Sequence, residues 1–149
     1  LTAWGVLHMA GGNLDVGDGV LYGVVLCPLV DHIADGGARL VVLRYDQVVH
    51  VLGFGVSTLI AFHLLRPYLR ERIERWRTLW LLVVLMGCGF GAVNEIIEFL
   101  AVLAIPETGV GGYGNTLLDL CFNLVGGVLA VSYLSWKQSR RTSLNSVRA

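Results

Sequence analysis

The stretch Thr78–Ala104 reads TLWLLVVLMGCGFGAVNEIIEFLAVLA and ends at Ile105–Pro106. Its only acidic or basic side chains are Glu95 and Glu98, both close to its C-terminal end. A helix needs roughly 20 consecutive apolar residues to cross a bilayer, and this stretch has the length and the composition. Two further segments are similar. Tyr45–Arg66 carries Asp46 and His50 near its start, then runs apolar and stops at Arg66–Pro67. Asn115–Trp136 precedes a polar tail, Lys137–Ala149. Each segment has 22 or more residues, enough to cross with some tilt.

The remaining N-terminal sequence is shorter in apolar runs. Leu1–Ala10 is too short to cross and reads as the end of a helix whose start lies upstream, a partial fourth. No charged n-region precedes it, so it is not read as a signal peptide. Gly11–Arg44 is expected to be an outer loop. Its apolar run Val20–Val30, broken by Pro28, spans about eleven residues and cannot cross. It reads as a re-entrant or interfacial segment. The expected fold is therefore an all-α integral membrane helical bundle, one multi-pass domain over 1–149 with three full transmembrane helices.

Composition agrees. Among 149 residues, 55% are hydrophobic, 15% are charged and the mean hydropathy is +0.68. Soluble domains carry about 25% charged residues. Lys+Arg 11 against Asp+Glu 11 leaves no net charge, so no basic field exists to hold nucleic acid. Cys27, Cys88 and Cys121 form no CxxC pair and are expected to pack structurally. The absence of Walker, GxSxG, HExxH and CxxCH motifs argues against soluble nucleotide chemistry, classical serine hydrolysis and covalent haem.

Basic residues set the expected orientation. Arg66, Arg70, Arg72, Arg75 and Arg77 lie between the first two spans, and Lys137, Arg140, Arg141 and Arg148 lie in the tail. The connection Ile105–Gly114 has neither Lys nor Arg. The Arg loop and the C-terminus are thus expected in the cytoplasm, with Gly11–Arg44 and Ile105–Gly114 outside. Within the Arg loop, Arg70–Glu74 and Glu71–Arg75 are spaced as i,i+4 pairs of a short helix. Trp76, Trp80 and Trp136 fall at the cytoplasmic interface, as an aromatic belt would.

Charged side chains inside spans are costly and are functional candidates by default. Here they share one depth. Asp46 and His50 open the first span from outside, Glu95 and Glu98 close the second, and Asn115, Asp119 and Asn123 open the third. At 1.5 Å per residue these positions fall within roughly 15 Å of the outer boundary. The spacings i,i+3 and i,i+4 put each set on one helix face. Gly87, Gly91 and Glu95 form a further stripe, small enough for close helix approach.

The expected result is an outer-leaflet polar pocket holding four carboxylates and one histidine. Either some carboxyls are protonated or a divalent cation sits among Asp46, His50, Glu95, Glu98 and Asp119. Asn115, Asn123 and His8 would be supporting groups. A hydrogen-bonded structural network and a proton or ion path stand as alternatives. His32, in Asp31-His32-xx-Asp35, could cap the pocket or belong to a solvated loop. His63 lies on another face.

Four motifs, taken in order, carry a family resemblance. They are Leu7-His8-Met9-Ala10-Gly11-Gly12, Tyr45-Asp46-xxx-His50-xx-Gly53, Asn94-Glu95-Ile96-Ile97-Glu98-Phe99 and Gly114-Asn115-xxx-Asp119-xxx-Asn123. Over most of Leu1–Ala130 the chain resembles YjdF-type bacterial inner-membrane proteins and, more distantly, VanZ-like proteins. The YjdF type usually has Tyr where this chain has Asn94, and a more acidic last segment. The resemblance implies a multi-pass protein of the bacterial inner membrane. The VanZ-like link to glycopeptide resistance points, by analogy, to envelope or lipid chemistry.

Two function classes follow. One is a metal-binding membrane protein or enzyme acting on a lipid-like envelope substrate. The other is a non-catalytic accessory or assembly subunit of a larger membrane complex, respiratory or photosynthetic, with other membrane subunits as partners.

Overall fold

The computed structural model describes residues 2–33, 39–69, 76–105 and 112–148. Asp35, the Arg-loop residues 70–75 and the connection 106–111 lie outside the described residues. Among the described residues the α-helices are α1 (Thr2–Asn13), α2 (Tyr45–Leu65), α3 (Trp76–Ala104) and α4 (Tyr113–Arg148). Three segments are long and apolar enough to cross a membrane: Tyr45–Tyr68, Trp76–Ala104 and Tyr113–Arg140, with mean hydropathies of 2.0, 1.8 and 1.8. The protein is an all-α membrane bundle. The helix α4 does not stop at Trp136 but continues through the polar tail.

The stretch between α1 and α2 takes a form that its apolar run did not announce. Strands β1 (Asp15–Val16) and β2 (Gly19–Val20) pair antiparallel around Gly17, whose φ of 63° suits glycine. A single helical turn, Leu21–Gly23, follows. Strands β3 (Val25–Ile33) and β4 (Arg39–Arg44) then pair antiparallel, with register irregularities between Val25 and Asp31. The run Val20–Val30 is thus divided between a turn and a strand. The Tyr45 N–H donates to the Val24 carbonyl at 3.0 Å, which ties this segment to the start of α2.

The bundle is built polar inside and apolar outside. Large apolar side chains such as Leu82, Leu85, Ile96, Ile97, Phe99 and Leu103 are exposed all along α3. An all-round apolar surface is what a helix presents to lipid. The buried positions of α3 recur every four residues, as Leu79, Val83, Gly87, Gly91 and Glu95. On α2 the buried set is Gln47, Val49, His50, Gly53, Phe54, Thr58 and Ala61. The tightest seam lies between α2 and α4. There a Cβ on Gly126 would meet the Val51 carbonyl oxygen and sit 2.9 Å from the Gly55 nitrogen. Backbone faces backbone, and only glycine fits. The expected small-residue stripe of α3 has this use too: Gly87 faces Thr58, and a Cβ on Gly91 would lie 2.6 Å from the Asn123 amide.

The short helix α1 docks on the N-terminal half of α2. Trp4 Nε1 donates to the Val49 carbonyl at 3.1 Å, and the Tyr45 hydroxyl donates to the Leu7 carbonyl at 3.0 Å. At the other end, Phe62 and Trp76 each pack a tilted ring against Trp80, with centroids 5.3 and 5.2 Å away.

Candidate functional site

The polar layer expected from the three spans is one cluster. Asp46, Gln47 and His50 come from the first turns of α2, Glu95 and Glu98 from the last turns of α3, and Asn115, Asp119 and Asn123 from the first turns of α4. Antiparallel packing brings these ends to one height. His50, Glu95, Asp119 and Asn123 are all buried, at 5%, 7%, 1% and 0% exposure.

His50 is the centre. Its Nδ1 lies 2.9 Å from Asn123 Oδ1. An amide oxygen only accepts, so Nδ1 carries a hydrogen toward Asn123, and Nε2 is the ring nitrogen turned to the carboxylates. That Nε2 lies 3.6 Å from Asp46 Oδ1 and 4.0 Å from Asp119 Oδ1. The two carboxylates are held by amides in turn. Asn115 Nδ2 donates to Asp46 Oδ2 at 3.0 Å and to Asp119 Oδ2 at 2.6 Å. Gln47 Nε2 donates to Asp119 Oδ1 at 2.9 Å, while its Oε1 accepts the Arg44 N–H at 2.8 Å. Gln47 therefore joins the start of α2 to the centre of the cluster.

A second group shares the histidine. Glu95 Oε1 lies 3.8 Å from His50 Nδ1. Both Glu95 oxygens are buried with no hydrogen-bond partner, as is Asn123 Nδ2. Glu98 is held by Asn94 Nδ2 at 2.7 Å. Two sets of side chains bring a ligand atom from each member within 4.8 Å of the others: Asp46, His50 and Asp119, and His50, Glu95 and Glu98.

Above the cluster lies a cavity of about 510 Å³. Its floor includes Asp46, Glu98 and Asn115 from the helix ends, and its walls include His8, Tyr22 and Arg44. That volume falls within the range of small-molecule sites. His8 belongs to this wall and not to the cluster. The Tyr22 hydroxyl donates to the His8 carbonyl at 2.8 Å and lies 2.6 Å from His8 Nδ1. Burial, aided by the Asp46 carboxylate, pushes the Tyr22 hydroxyl well above the ordinary tyrosine value.

The structure brings the five named side chains together as two triads that share His50, with Asn115 on Asp46 and Asp119 and Asn123 on His50. Gln47, Tyr22 and Arg44 were missed. Gln47 had one signal, its i,i+3 spacing from His50. Tyr22 and Arg44 reach the site through the β segment, whose form was not foreseen. Backbone of Asp31 and His32 lies in β3 and their side chains are outside the described set, as is Asp35.

A family model described as a predicted membrane protein family, DUF2238, matches residues 1–140, and the chain belongs to that family. The YjdF-type proteins fall within it, which agrees with the resemblance; the more distant VanZ-like resemblance is not supported. No curated protein and no solved structure matches the chain.

Proposed function

We propose that the protein holds a divalent cation between Asp46, His50 and Asp119 and engages a lipid-like envelope molecule through the cavity above. One observation carries this reading. His50 offers Nε2, free of any hydrogen bond, to two carboxylates whose other atoms are fixed by amides. Asn123 on Nδ1 is the kind of outer partner that sets tautomer and ring orientation in metal sites. Glu95, buried and unpartnered beside it, supplies a further negative group that a cation would neutralise. A bound divalent cation would polarise a phosphoryl or carbonyl oxygen. Asn115, Gln47 and Asn123 keep the ligands aimed, and Glu95 is placed to accept a proton.

The same reading puts the protein in the bacterial inner membrane, with the cluster in the outer half and the C-terminus in the cytoplasm. The basic loop and tail support that side.

Metal analysis of protein purified in mild detergent without chelator tests the proposal. Manganese, zinc or iron near one per chain is expected, falling to background in Asp119→Asn. No metal in either form, after addition and removal of excess manganese, overturns it in favour of a hydrogen-bonded structural network. Stoichiometric co-purification of other subunits without metal would favour the accessory-subunit alternative.

A further inference from the structure

The cavity above the cluster carries charges of both signs that do not neutralise one another. Arg44 lines it, and so do Asp18, Asp46 and Glu98. Among the described residues Arg44 has no ion pair with any of the three, and its Nε has no hydrogen-bond partner. A guanidinium and carboxylates in one wall, with no ion pair between them, suit a ligand that also carries both signs. The third component of the wall is aliphatic, from Val16, Val20 and Val24, and lies next to the exposed side chains of Leu14, Val25 and Leu26.

We propose that this cavity takes the headgroup of a zwitterionic aminophospholipid. Arg44 meets the phosphate, for which a guanidinium fork is well suited. Asp18 and Glu98 meet the ammonium, and the valine wall covers the start of the acyl chains. This deepens the lipid reading above and rests on its placement of the cavity at the membrane's outer face. It does not need the metal. Asp46 belongs to the cation cluster, which leaves Asp18 and Glu98 for the ammonium.

Trp4 supplies the readout. Its indole stacks on the His8 ring with centroids 5.2 Å apart, and His8 lines the cavity. Short-chain phosphatidylethanolamine is titrated into the detergent-solubilised full chain, and tryptophan fluorescence is followed. Saturable change is expected in the wild type and not in Trp4→Phe. Phosphatidylglycerol of the same chain length, which keeps the phosphate and lacks the ammonium, is expected to bind at least tenfold more weakly. Arg44→Gln and Asp18→Asn are each expected to weaken phosphatidylethanolamine tenfold.

Equal binding of the two lipids, or unchanged affinity in both variants, overturns the proposal. So does water-soluble phosphorylethanolamine binding as tightly as the lipid, which would make the ligand a free headgroup. Metal content is measured on every variant. Lost lipid selectivity with metal retained removes this inference alone, and absent metal with lipid selectivity intact removes only the cation.

Discussion

Asn123 on α4 orients the ring of His50 on α2 through a 2.9 Å contact between buried groups. Replacing that amide leaves the Nδ1–H buried without an acceptor. Asn123→Ala is therefore expected to cost roughly 1–3 kcal/mol, read as a lowered Tm in detergent. Bound metal should fall as well, because the ring is no longer held with Nε2 toward Asp46 and Asp119. Unchanged Tm and unchanged metal content would show that the contact constrains nothing.

Asp119 separates a buried site from a lipid-facing carboxylate. Its 1% exposure and its bonds from Gln47 and Asn115 mean that Asp119→Leu strands the Gln47 amide inside the bundle. A loss on the order of 1–3 kcal/mol is expected in thermal unfolding. A lipid-facing aspartate would give the opposite result, since removing a charge from hydrocarbon is favourable.

Gly126 and Gly89 make a matched pair. A methyl at Gly126 meets α2 backbone, whereas a methyl at Gly89 meets open space. Gly126→Ala is expected to cost roughly 1–3 kcal/mol through forced separation of α2 and α4. Gly89→Ala should be neutral or slightly stabilising, because alanine is the better helix former. Comparable thermal shifts in the two variants would contradict the α2–α4 seam.

Tyr22 gives a pH-dependent signature. Its neutral form is favoured in the folded state, so its contribution is fully present below the ordinary tyrosine value of 10.0. It is lost as pH rises from there through the higher folded value. Following tyrosinate absorbance, the difference between wild type and Tyr22→Phe should titrate above pH 10. A difference that titrates at the ordinary value would place the hydroxyl in water.

Orientation is open to labelling. After replacement of Cys27, Cys88 and Cys121, single cysteines at Thr108 and at Glu71 are treated from outside with an impermeant reagent. Reaction at Thr108 and protection at Glu71 are expected, and the reverse pattern inverts the topology.

The three spans were legible because length and apolarity alone decide whether a helix can cross. The cluster was legible too, since charges in lipid must converge, and i,i+4 spacing told which faces they share. The β segment was not. Val20–Val30 and Arg39–Arg44 are rich in aliphatic residues, and in a membrane chain such runs read first as lipid contact. Their strand form depends on mutual pairing, which no periodicity in either run announces. Gln47 was hidden for a different reason: an uncharged amide attracts no notice until the carboxylate it serves has a position.

The seam of Gln47, His50, Glu95, Asp119 and Asn123 makes the surrounding solvent part of the structure. These side chains find each other because hydrocarbon offers them nothing else. Water offers every one of them a competitor. Among the described residues the buried apolar set, seven residues from Val49 to Val131, outnumbers the six buried polar ones by only one. The bilayer thus acts as the outer half of the core, and a micelle that admits water at the cluster would loosen the bundle from its centre outward. Gentle, long-chained detergent or a lipid disc is the environment in which this protein stays itself.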